Sequence, residues 1–402
     1  MPDRMTIRLH LRRIRVLEVL VDAVERLVVA VEDLRSVVRC PHCGFLTSRV
    51  HDRRRIRVRD LPHGGRLTTL VWMRRRFWCR NCDQRHVESH PEFRGKVTRR
   101  LARQMVRDAK DMSIKAVASR YQVSWWLTMR IVKAHAGQLE EHRRRRRCRI
   151  LLVDETSLRC RHRYVTVISD GETGTVLAVV RHRDANALGK FLDAQGPAWR
   201  RHVQVVVTDG SKAYQAAIRR WLPDATHVLD RFHVSRWFSQ CLVEVRRRIQ
   251  RRGDKGTRPA FDPTIFRSRF LQVMRYDHLD DTQASRLAHV LAREPELDHA
   301  WRMLQHLYGI HLAATDADAN QALGAFIDLW QERPLEEFWP AVDRLLGWAD
   351  EIFNFHDAGR ITNGAIEGRM NKLGVLKRVA YGFTNLHNFA ARAVLISPEV
   401  PS

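Results

Sequence analysis

Acidic residues are scarce in this chain of 402 residues, and the shortage lies at one end. The chain holds 45 Asp and Glu against 71 Lys and Arg, which gives a net charge of +26. Residues 1–150 have 37 basic and 15 acidic side chains, or +22, whereas the other 252 residues are nearly balanced at +4. Such a polycationic end indicates binding to nucleic acid or to an anionic membrane surface. A genome rich in G and C explains an excess of Arg over Lys, but it does not explain this imbalance of sign.

Long apolar runs are also missing. No stretch approaches the ~20 apolar residues of a membrane span, and the first residues lack the apolar core of a signal peptide. Hydrophobic residues nevertheless make up 44% of the chain, as in ordered globular proteins. A chain of this length exceeds the usual size of one core, so roughly two to four domains are expected. We therefore expect a cytoplasmic protein, with no membrane partner, that acts on DNA or RNA.

Cysteine is rare, but four of the seven cysteines form two C-x-x-C pairs on either side of the strand-like stretch "GGRLTTLVWMRRRFW". Two such pairs joined by a β-hairpin predict a zinc ribbon, in which four thiolates hold one structural Zn and leave no position for substrate. A redox role is the alternative for either pair alone, and His42 and His86 are expected to be bystanders. The predicted zinc ligands are Cys40, Cys43, Cys79 and Cys82.

Residues 98–136 have the pattern of three short helices. "SIKAVASRYQ" is followed by a turn at Val123 and by "SWWLTMRIVKAHAG", with Ser124 as the predicted N-cap. This arrangement predicts a helix-turn-helix whose second helix enters the major groove of DNA. Tryptophans at a helix start more often pack than touch bases, which is the alternative for part of this surface. The predicted DNA contacts are Trp125, Trp126, Thr128 and Arg130.

Five consecutive arginines follow at residues 143–147. A run of like charges is usually a solvated linker, and residues 141–148 are predicted to be one. Between two domains that handle DNA, such a linker can also lie along the phosphate backbone and add affinity that depends on salt but not on sequence. The arginines assigned to this role are Arg143, Arg144 and Arg145.

From residue 149 the pattern changes to buried strands and amphipathic helices. The stretches "RILLVDETSL", "RYVTVISDGETGTVLAVVRHRD", "HVQVVVTDG" and "THVLDRFHV" predict five strands, and "ANALGKFLDAQG" and "SKAYQAAIRRWL" predict helices. The order β-β-β-α-β-α-β predicts an α/β core. Residues 234 to about 355 are predicted to be entirely helical.

Acids stand at two predicted strand ends of this core. Asp154 closes the first strand and Asp209 closes the fourth, and either acid alone could be an N-cap or a solvated strand end. Two such acids in a protein that attracts polyanions favour divalent cations between carboxylate and phosphate, and Mg suits oxygen ligands. Two Mg ions need a further carboxylate from late in the chain, and Glu367 is the candidate. Glu155 is expected to point to the other face of its strand.

These core motifs, with "NGAIEGRMNKLGVLKRVAYGFTNLHNFAARAVL" and the N-terminal "RCPHCG", "HDRRRIRVRDLP" and "RRFWCRNC", resemble bacterial insertion-sequence transposases of the ISL3 family. The resemblance covers nearly the whole chain. It implies a metal-dependent DNA transposase with a DDE triad, an RNase H-like fold and an all-helical insertion. Such an enzyme binds the terminal inverted repeats of its own element, hydrolyses DNA to free 3′ hydroxyls and joins these to target DNA.

The resemblance also assigns roles to residues of this chain. Asp230 and His233, in "DRFH", match a D-x-x-H signature of related transposases and would support the site, the alternative being a strand-end pair that orders the core. Asn371 lies one helical turn after Glu367 and would face the same site. The implied ligands of two Mg or Mn ions are Asp154, Asp209 and Glu367. The cations expected to hold the DNA backbone are Arg369, Lys372, Lys377 and Arg378.

The predicted organisation is multidomain. Its parts are a β-rich N-terminal segment with the zinc ribbon (1–95), the helix-turn-helix (96–140), an Arg-rich linker (141–148), an RNase H-like core in two parts (149–233 and 356–402) and a helical insertion (234–355). A non-enzymatic DNA-binding regulator is one competing function, but it leaves the acids without a role. An RNase H-like nuclease is another, and it predicts cleavage without joining. Because transposition unites two DNA ends, a homodimer or larger assembly on double-stranded DNA is expected.

Overall fold

The computed structural model describes residues 10–144, 146–159, 163–182, 184–251, 262–361 and 364–398, without the side chains of residues 94, 159, 163, 364–367, 369 and 370. The chain divides into two compact units. The first comprises the chain up to residue 139 together with residues 376–396, and the second comprises residues 140–375 and the chain from residue 397. No helix of these described ranges is long and apolar enough to cross a membrane.

Most described strands of the first unit lie in one mixed β-sheet. They are β1 Ile14–Asp22, β2 Arg26–Asp33, β3 Val38–Arg39, β4 Leu46–Thr47, β5 Val50–Arg59, β6 Leu67–Trp78, β7 Arg85–Val87, β8 Phe93–Arg94 and β9 Val97–Thr98. The sheet has the order β1-β2-β6-β5-β9-β8 with β7 beside β6, and β3 pairs with β4 alone. Strands β5 and β6 form a long antiparallel hairpin, in register from Asp52 opposite Arg76 to Arg59 opposite Thr69.

Alternation along the strands decides which side chains of this sheet are buried, because successive side chains point to opposite faces. On β5, Ile56 and Val58 face the core, whereas Arg55 and Arg57 are exposed on the other face. The same periodicity continues across the sheet. The core beneath it includes Ile14, Leu27, Val29, Val31, Leu70 and Trp72.

Three helices after the sheet form the helix-turn-helix region. They are α1 Arg99–Asp111, α2 Ile114–Arg120 and α3 Trp125–Arg144. The hydroxyls of Thr98, Ser113 and Ser124 each accept a hydrogen bond from a backbone N–H at a helix start, at 3.1–3.2 Å. These caps satisfy N–H groups that lack a partner inside the helix. Gln122, in the left-handed region with φ of 47°, makes the turn between α2 and α3.

Helix α3 is longer than predicted. The sequence pattern predicts a helix end near residue 137 and a linker over residues 141–148, but the helix continues to Arg144. One glycine does not stop it, because the Gln, Leu and Glu residues that follow are good helix formers. The linker prediction is therefore wrong for residues 141–144.

Arg143 is also misassigned as a phosphate contact. It is only 4% exposed, and its guanidinium donates to the carbonyl oxygens of Val176 (3.1 Å) and Pro398 (3.5 Å). A guanidinium that satisfies buried carbonyls is not available to DNA in this arrangement. Arg144 is exposed, and Arg145 lies outside the described residues.

The described strands of the second unit form a mixed sheet of the order β12-β11-β10-β13-β14, where these are β10 Ile150–Arg159, β11 Arg163–Asp170, β12 Val176–Arg181, β13 Val205–Thr208 and β14 Thr226–Leu229. Strand β11 is antiparallel to both neighbours, and β13 and β14 run parallel to β10. The intervening helices are α4 Ala185–Gln195, α5 Pro197–Arg200 and α6 Lys212–Trp221. The predicted order β-β-β-α-β-α-β is confirmed, with α5 as an added helical turn.

Apolar side chains cover both faces of this sheet. On one face Leu151 packs in a cluster with Leu188 of α4 and Tyr214 of α6. On the other face Leu152 packs with Val207 and Phe355. Burial on both sides explains the continuous apolar runs of β10 and β13, which do not alternate with polar residues.

Helices make up the described residues from 231 to 357. They are α7 Arg231–Gln250, α8 Pro263–Arg267, α9 Asp281–Arg293, α10 Pro295–Leu312, α11 Asp316–Glu332, α12 Trp339–Gly347 and α13 Ala349–Asp357, with short 3-10 turns at Leu271–Val273, Tyr276–His278 and Glu336–Phe338. Their shared core contains Phe238, Leu304, Phe326 and Phe338. The chain continues in α14 Gly364–Val379 and α15 Leu386–Ile396.

The fifth strand is shorter than predicted. Strand β14 ends at Leu229, and the carboxylate of Asp230 accepts from the N–H of Phe232 (3.4 Å) as the N-cap of α7. An Asp in this position favours a helix start over strand continuation. Asp230 therefore directly follows the strand and caps α7, and His233 lies in the first turn of that helix.

Candidate active site and metal centres

Strand pairing brings Asp154 and Asp209 close together beside the C-terminal end of β13, an inner strand of the second unit's sheet. Strands β10 and β13 pair only from Ile150 opposite Val205 to Leu152 opposite Val207. Asp209 directly follows β13, as predicted. Asp154 does not close its strand, because β11 continues to pair with β10 beyond it and opposes Asp154 with Val167. Asp154 thus lies just past the end of the β13 pairing, where the neighbouring strand leaves space.

A glycine that the sequence analysis missed shapes this end of β13. Gly210 follows Asp209 with φ of +86°, which favours glycine. A Cβ here would lie 3.0 Å from Leu229 and 3.2 Å from Trp237, so the backbone passes close to both. The Asp-Gly pair after an apolar strand was the available signal for such a turn.

His233 completes a group of three side chains. One ligand atom each from Asp154, Asp209 and His233 lie within 4.8 Å of one another. Asp230 lies behind the histidine: its Oδ2 is 2.9 Å from Nδ1 of His233, and its backbone N–H donates to the carbonyl of Thr208 (2.8 Å). The carboxylate of Asp230 thus orients the imidazole next to the end of β13.

The electrostatics of this group are unfavourable without a cation. Burial raises the pKa of Asp154 to about 6, although the N–H of Glu155 and the nearby His233 oppose the rise. Burial also raises the pKa of Asp209, whose buried Oδ1 has no hydrogen-bond partner among the described residues. The hydrogen bond with Asp230 raises the pKa of His233. Carboxylates that are partly removed from water and have few donors cost free energy in their charged form, and a nearby cation offsets this cost.

The donor set fits a divalent metal ion. Carboxylate oxygens suit Mg and Mn, and imidazole is a further ligand for Mn and other transition metals. The orphaned Oδ1 of Asp209 is the kind of buried acceptor that such an ion satisfies.

The predicted third carboxylate lies outside the described side chains. Glu367 is in the first turn of α14, and nothing is described of its side chain or that of Arg369. Asn371, Lys372 and Arg378 are exposed on the same helix. Lys377 is partly buried, and burial lowers its pKa.

Glu155 lies on the opposite face of β10, as expected. It opposes Thr166, whose Oγ1 is 2.7 Å from the hydroxyl oxygen of Tyr214. Burial, with a contribution from the Glu155 carboxylate, raises the pKa of Tyr214. Glu155 therefore belongs to the packing between the sheet and α6.

The four predicted zinc ligands meet in the first unit. Sγ of Cys40 is 3.7 Å from Sγ of Cys82, and Sγ of Cys43 is 3.5 Å from Sγ of Cys79. Four sulfurs at ~2.3 Å from one ion in tetrahedral geometry are ~3.8 Å apart, so the cluster fits zinc. These distances are far from a disulfide bond of ~2.05 Å. His86 is not in the cluster and stacks on Phe77 with ring centroids 5.8 Å apart.

The predicted DNA contacts of α3 divide into exposed and buried residues. Trp126 is 78% exposed, and Arg130, one turn later, is exposed on the same side of the helix. Trp125 is partly buried and meets Trp126 edge to face, with centroids 5.0 Å apart. Thr128 is fully buried, and its hydroxyl donates to the carbonyl of Ser124 (3.1 Å). The prediction of Thr128 as a DNA contact is therefore wrong, because it lies on the packed face of the helix.

Family comparisons agree with this layout. Residues 151–393, more than half of the chain, match a family model described as a transposase. Residues 94–136 match the helix-turn-helix domain of transposase family ISL3, and residues 36–82 match the zinc-finger of transposase IS204/IS1001/IS1096/IS1165. The chain therefore belongs to the ISL3 family of transposases, and the predicted resemblance is confirmed.

Two relatives extend the match along most of the chain. The transposase for insertion sequence element IS1001 of Bordetella parapertussis is 27% identical over 357 residues, which cover 88% of this chain and 87% of that protein. The transposase for insertion sequence element IS1557 of Mycobacterium tuberculosis is 28% identical over 265 residues, which cover 60% of this chain and 59% of that protein.

Proposed function

We propose that this transposase cuts and joins DNA with divalent metal held by a DDE triad of Asp154, Asp209 and Glu367. The observation that carries the proposal is the meeting of two partly buried carboxylates with raised pKa values beside the C-terminal end of β13, where ligand atoms of Asp154, Asp209 and His233 lie within 4.8 Å of one another. Family membership makes DNA the substrate. The position of Glu367 in the first turn of α14 is compatible with a third ligand, and the triad rests on the family resemblance for that residue.

The architecture supports an RNase H-like core. Three consecutive strands followed by two more that alternate with helices give the strand order β12-β11-β10-β13-β14, with β10 at the centre. The helices from α7 to α13 then separate Asp209 from Glu367 in the chain, as the helical insertion of the family would. The predicted domain limits are proposed on the same basis, except for the linker over residues 141–144, which belong to α3.

Divalent ions at such a site activate the attacking hydroxyl and stabilise the leaving oxygen in an in-line displacement at phosphorus. Asp154 and Asp209 would hold them, and Asp230 would fix His233 beside them through its 2.9 Å contact. In the first step water attacks a phosphorus at the element end, and the P–O3′ bond breaks to leave a 3′ hydroxyl. In the second step that hydroxyl attacks a target phosphodiester, one P–O bond replaces another, and the target strand leaves with a free 3′ hydroxyl.

Recognition of the DNA ends is assigned to the first unit. Trp126 and Arg130 are the exposed residues of α3 that we propose to reach base edges in the major groove. A zinc-stabilised ribbon would support this unit. Arg144, Lys372 and Arg378 are exposed and remain proposed phosphate contacts, as do Arg145, Arg369 and Lys377; assembly of two or more chains would unite the two ends.

The test is a cleavage and joining assay on linear DNA that ends in the element's repeats, with Mg or Mn. Asp154→Ala should abolish both products, whereas Asp193→Asn, which changes an exposed acid of α4, should keep them. An Asp154→Ala protein that cuts as well as the parent would sink the triad assignment. Cleavage without joining in the parent protein would instead identify a nuclease.

A further inference from the structure

One row of arginines on the N-terminal sheet has no acidic partner. Arg53, Arg55 and Arg57 alternate along β5, so all three side chains point to the same face of the sheet, and all three are exposed. No described acidic side chain forms an ion pair with any of them. Arg59 continues the row, but it is partly buried and donates to Oγ1 of Thr69 (2.9 Å).

Several arginines on this sheet or next to its strands do have acidic partners. Arg75, opposite Arg53, binds Glu88 and the carbonyl oxygens of Asp33 and Arg35. Further pairs in the sheet join Arg15 with Glu32, Arg35 with Asp33, Arg66 with Asp22 and Arg76 with Asp52. Arg54, on the opposite face of β5, and Arg74, on β6, likewise form no ion pair with a described acid. The row is therefore distinguished by three exposed cations that alternate along one face of one strand.

The three guanidinium groups of the row carry the same charge and repel one another. Alternate residues of a strand are ~6.7 Å apart, well inside the ~10 Å over which charges interact at 0.1 M salt. Burial, with Arg57 beside it, lowers the pKa of Arg59, as expected for cations held close together. Such an arrangement is relieved by a partner with closely spaced negative charges.

The dimensions of the row match a phosphate backbone. From Arg53 to Arg57 the strand spans ~13 Å. One strand of a DNA duplex presents a phosphate about every 3.4 Å along its axis, so ~13 Å spans about four phosphates. Beyond Arg59, which pairs with Val97 of β9, no described strand pairs with the outer edge of β5, and the three side chains of the row are exposed on their face, so a duplex can approach them.

We propose that the Arg53-Arg55-Arg57 row of β5 is a second DNA-binding surface, which grips the phosphate backbone independently of the helix-turn-helix. The choice of duplex DNA as occupant rests on the proposed function, whereas the surface itself rests on the row. Its contribution depends on salt and not on base sequence, so it strengthens binding to terminal repeats and to unrelated DNA equally.

The alternative role of the row is to protect the exposed edge of β5 from pairing with other strands. Exposed strand edges are often lined with charge, which prevents them from pairing with other strands. That role would need charge on β5 but no contact with DNA. The two interpretations differ in the salt dependence of DNA binding.

The experiment measures binding of the full-length, zinc-loaded chain to a 30-base-pair duplex of random sequence between 50 and 300 mM salt, without divalent metal. Each phosphate contact contributes ~0.9 to the slope of log K against log salt. The triple variant R53Q/R55Q/R57Q should lower the magnitude of the slope by ~2–3 and weaken binding on the order of 100-fold at 0.1 M salt. The control R12Q/R26Q/R286Q removes the same charge from exposed arginines elsewhere and should leave the slope within ~0.5 of the parent.

A triple variant that binds like the control overturns the proposal in favour of edge protection. If the triple variant loses zinc or its thermal transition, the single variants R55Q and R57Q replace it, each with an expected loss of ~0.9 in slope. Parallel titrations with an RNA duplex and with anionic lipid vesicles must show smaller effects of the substitutions than DNA does, or DNA is the wrong occupant. The assay involves no cleavage, so the outcome is the same in an Asp154→Ala background and is distinguishable from failure of the DDE proposal.

Discussion

The cysteine cluster of the first unit and the aspartate site of the second unit each bring potential metal ligands together. The cysteines offer sulfur atoms, whereas the aspartates offer oxygen atoms. Four sulfurs, at cross distances of 3.5 and 3.7 Å, form a closed tetrahedron on two short turns. Asp154 and Asp209 offer oxygens to one side, with only His233 as a third described donor within 4.8 Å. Four thiolates would complete the shell of one zinc ion, whereas three donors would leave positions open on a metal ion at the aspartates.

The difference is the one expected between a structural zinc site and the proposed catalytic site for Mg or Mn. The segment that carries the cysteines has short strands, β3, β4 and β7, and few buried apolar residues of its own. Bound metal supplies the missing free energy of folding there. The sheet that carries the aspartates has apolar cover on both faces, which supplies a source of folding free energy other than metal. Its two partly buried acids with raised pKa values therefore favour a functional role.

The largest expected effect follows from loss of the cysteine cluster. Structural zinc contributes ~10–16 kcal/mol of apparent binding free energy at neutral pH in small zinc domains. Cys79→Ser should therefore lower zinc from about one ion per chain to a small fraction, unfold the ribbon and weaken DNA binding. Metal analysis and a thermal scan check this, and the second unit should keep its own transition. Cys241→Ser, whose side chain bonds to the carbonyl of Trp237 away from the cluster, is the control and should keep zinc.

Loss of an aspartate should instead remove nearly all cleavage and leave zinc binding and DNA binding unchanged. Asp209→Ala should reduce strand cleavage by at least about 1,000-fold, because the metal's stabilisation of the transition state is worth several kcal/mol. Zinc content and duplex binding should not change. If Asp209→Ala also lost zinc or unfolded the ribbon, the separation between the two sites would be broken.

The sequence predicted most of this comparison, and its errors have local causes. Spacing alone identified the four cysteines, and apolar runs identified β10 and β13 with an acid near each end. Asp154 was predicted to end its strand because the sequence does not reveal how far each partner extends. Strand β11 pairs with β10 as far as Arg159, whereas β13 pairs with it only as far as Leu152. Thr128 and Arg143 were assigned to DNA because polarity alone does not distinguish an exposed side chain from one that satisfies a buried carbonyl.

The β5 row escaped prediction for the same reason. The sequence shows many arginines in residues 53–76, but ion pairing is a property of the fold. The register of β5 and β6 places Asp52 opposite Arg76, and the fold brings Glu88, just after β7, to Arg75. No described acid forms an ion pair with Arg55 or Arg57.

The next largest effect sharpens the description of the open site. His233→Gln should reduce cleavage by ~10- to 100-fold, as substitutions around metal ligands commonly do, and should raise the metal concentration needed for half-maximal rate. Asp230→Asn should act in the same direction through the 2.9 Å contact with His233. Because Asp230 acts through the histidine, the double variant should lose little more than His233→Gln alone. Additive losses would contradict this positioning role, and exposed His278→Gln is the control.

The smallest expected effect concerns Glu351 and Asp209, two acids of the second unit whose surroundings shift their pKa values in opposite directions. Burial raises the pKa of Glu351, but hydrogen bonds with His227 and Gln215 more than offset this and lower it to about 2. Asp209 lacks such compensation at Oδ1, and its pKa is raised. In metal-free protein at pH 7, Glu351→Gln should therefore lower the free energy of unfolding by ~1–2 kcal/mol, whereas Asp209→Asn should raise the melting temperature by ~2–4 °C.

The pH dependence of stability gives these two acids opposite signs. A carboxyl with a lowered pKa stabilises the fold above its unfolded value of ~4.3 and loses that contribution as pH falls through the folded value. The free energy of unfolding of the parent should thus fall towards that of Glu351→Gln as pH falls from about 4.3 to about 2. The disadvantage of the parent relative to Asp209→Asn should instead shrink as pH falls from 7, because protonation removes the buried charge. If Asp209→Asn destabilised the metal-free protein as Glu351→Gln does, Asp209 would be an ordinary structural acid, and the contrast between the closed and open sites would lose its physical basis.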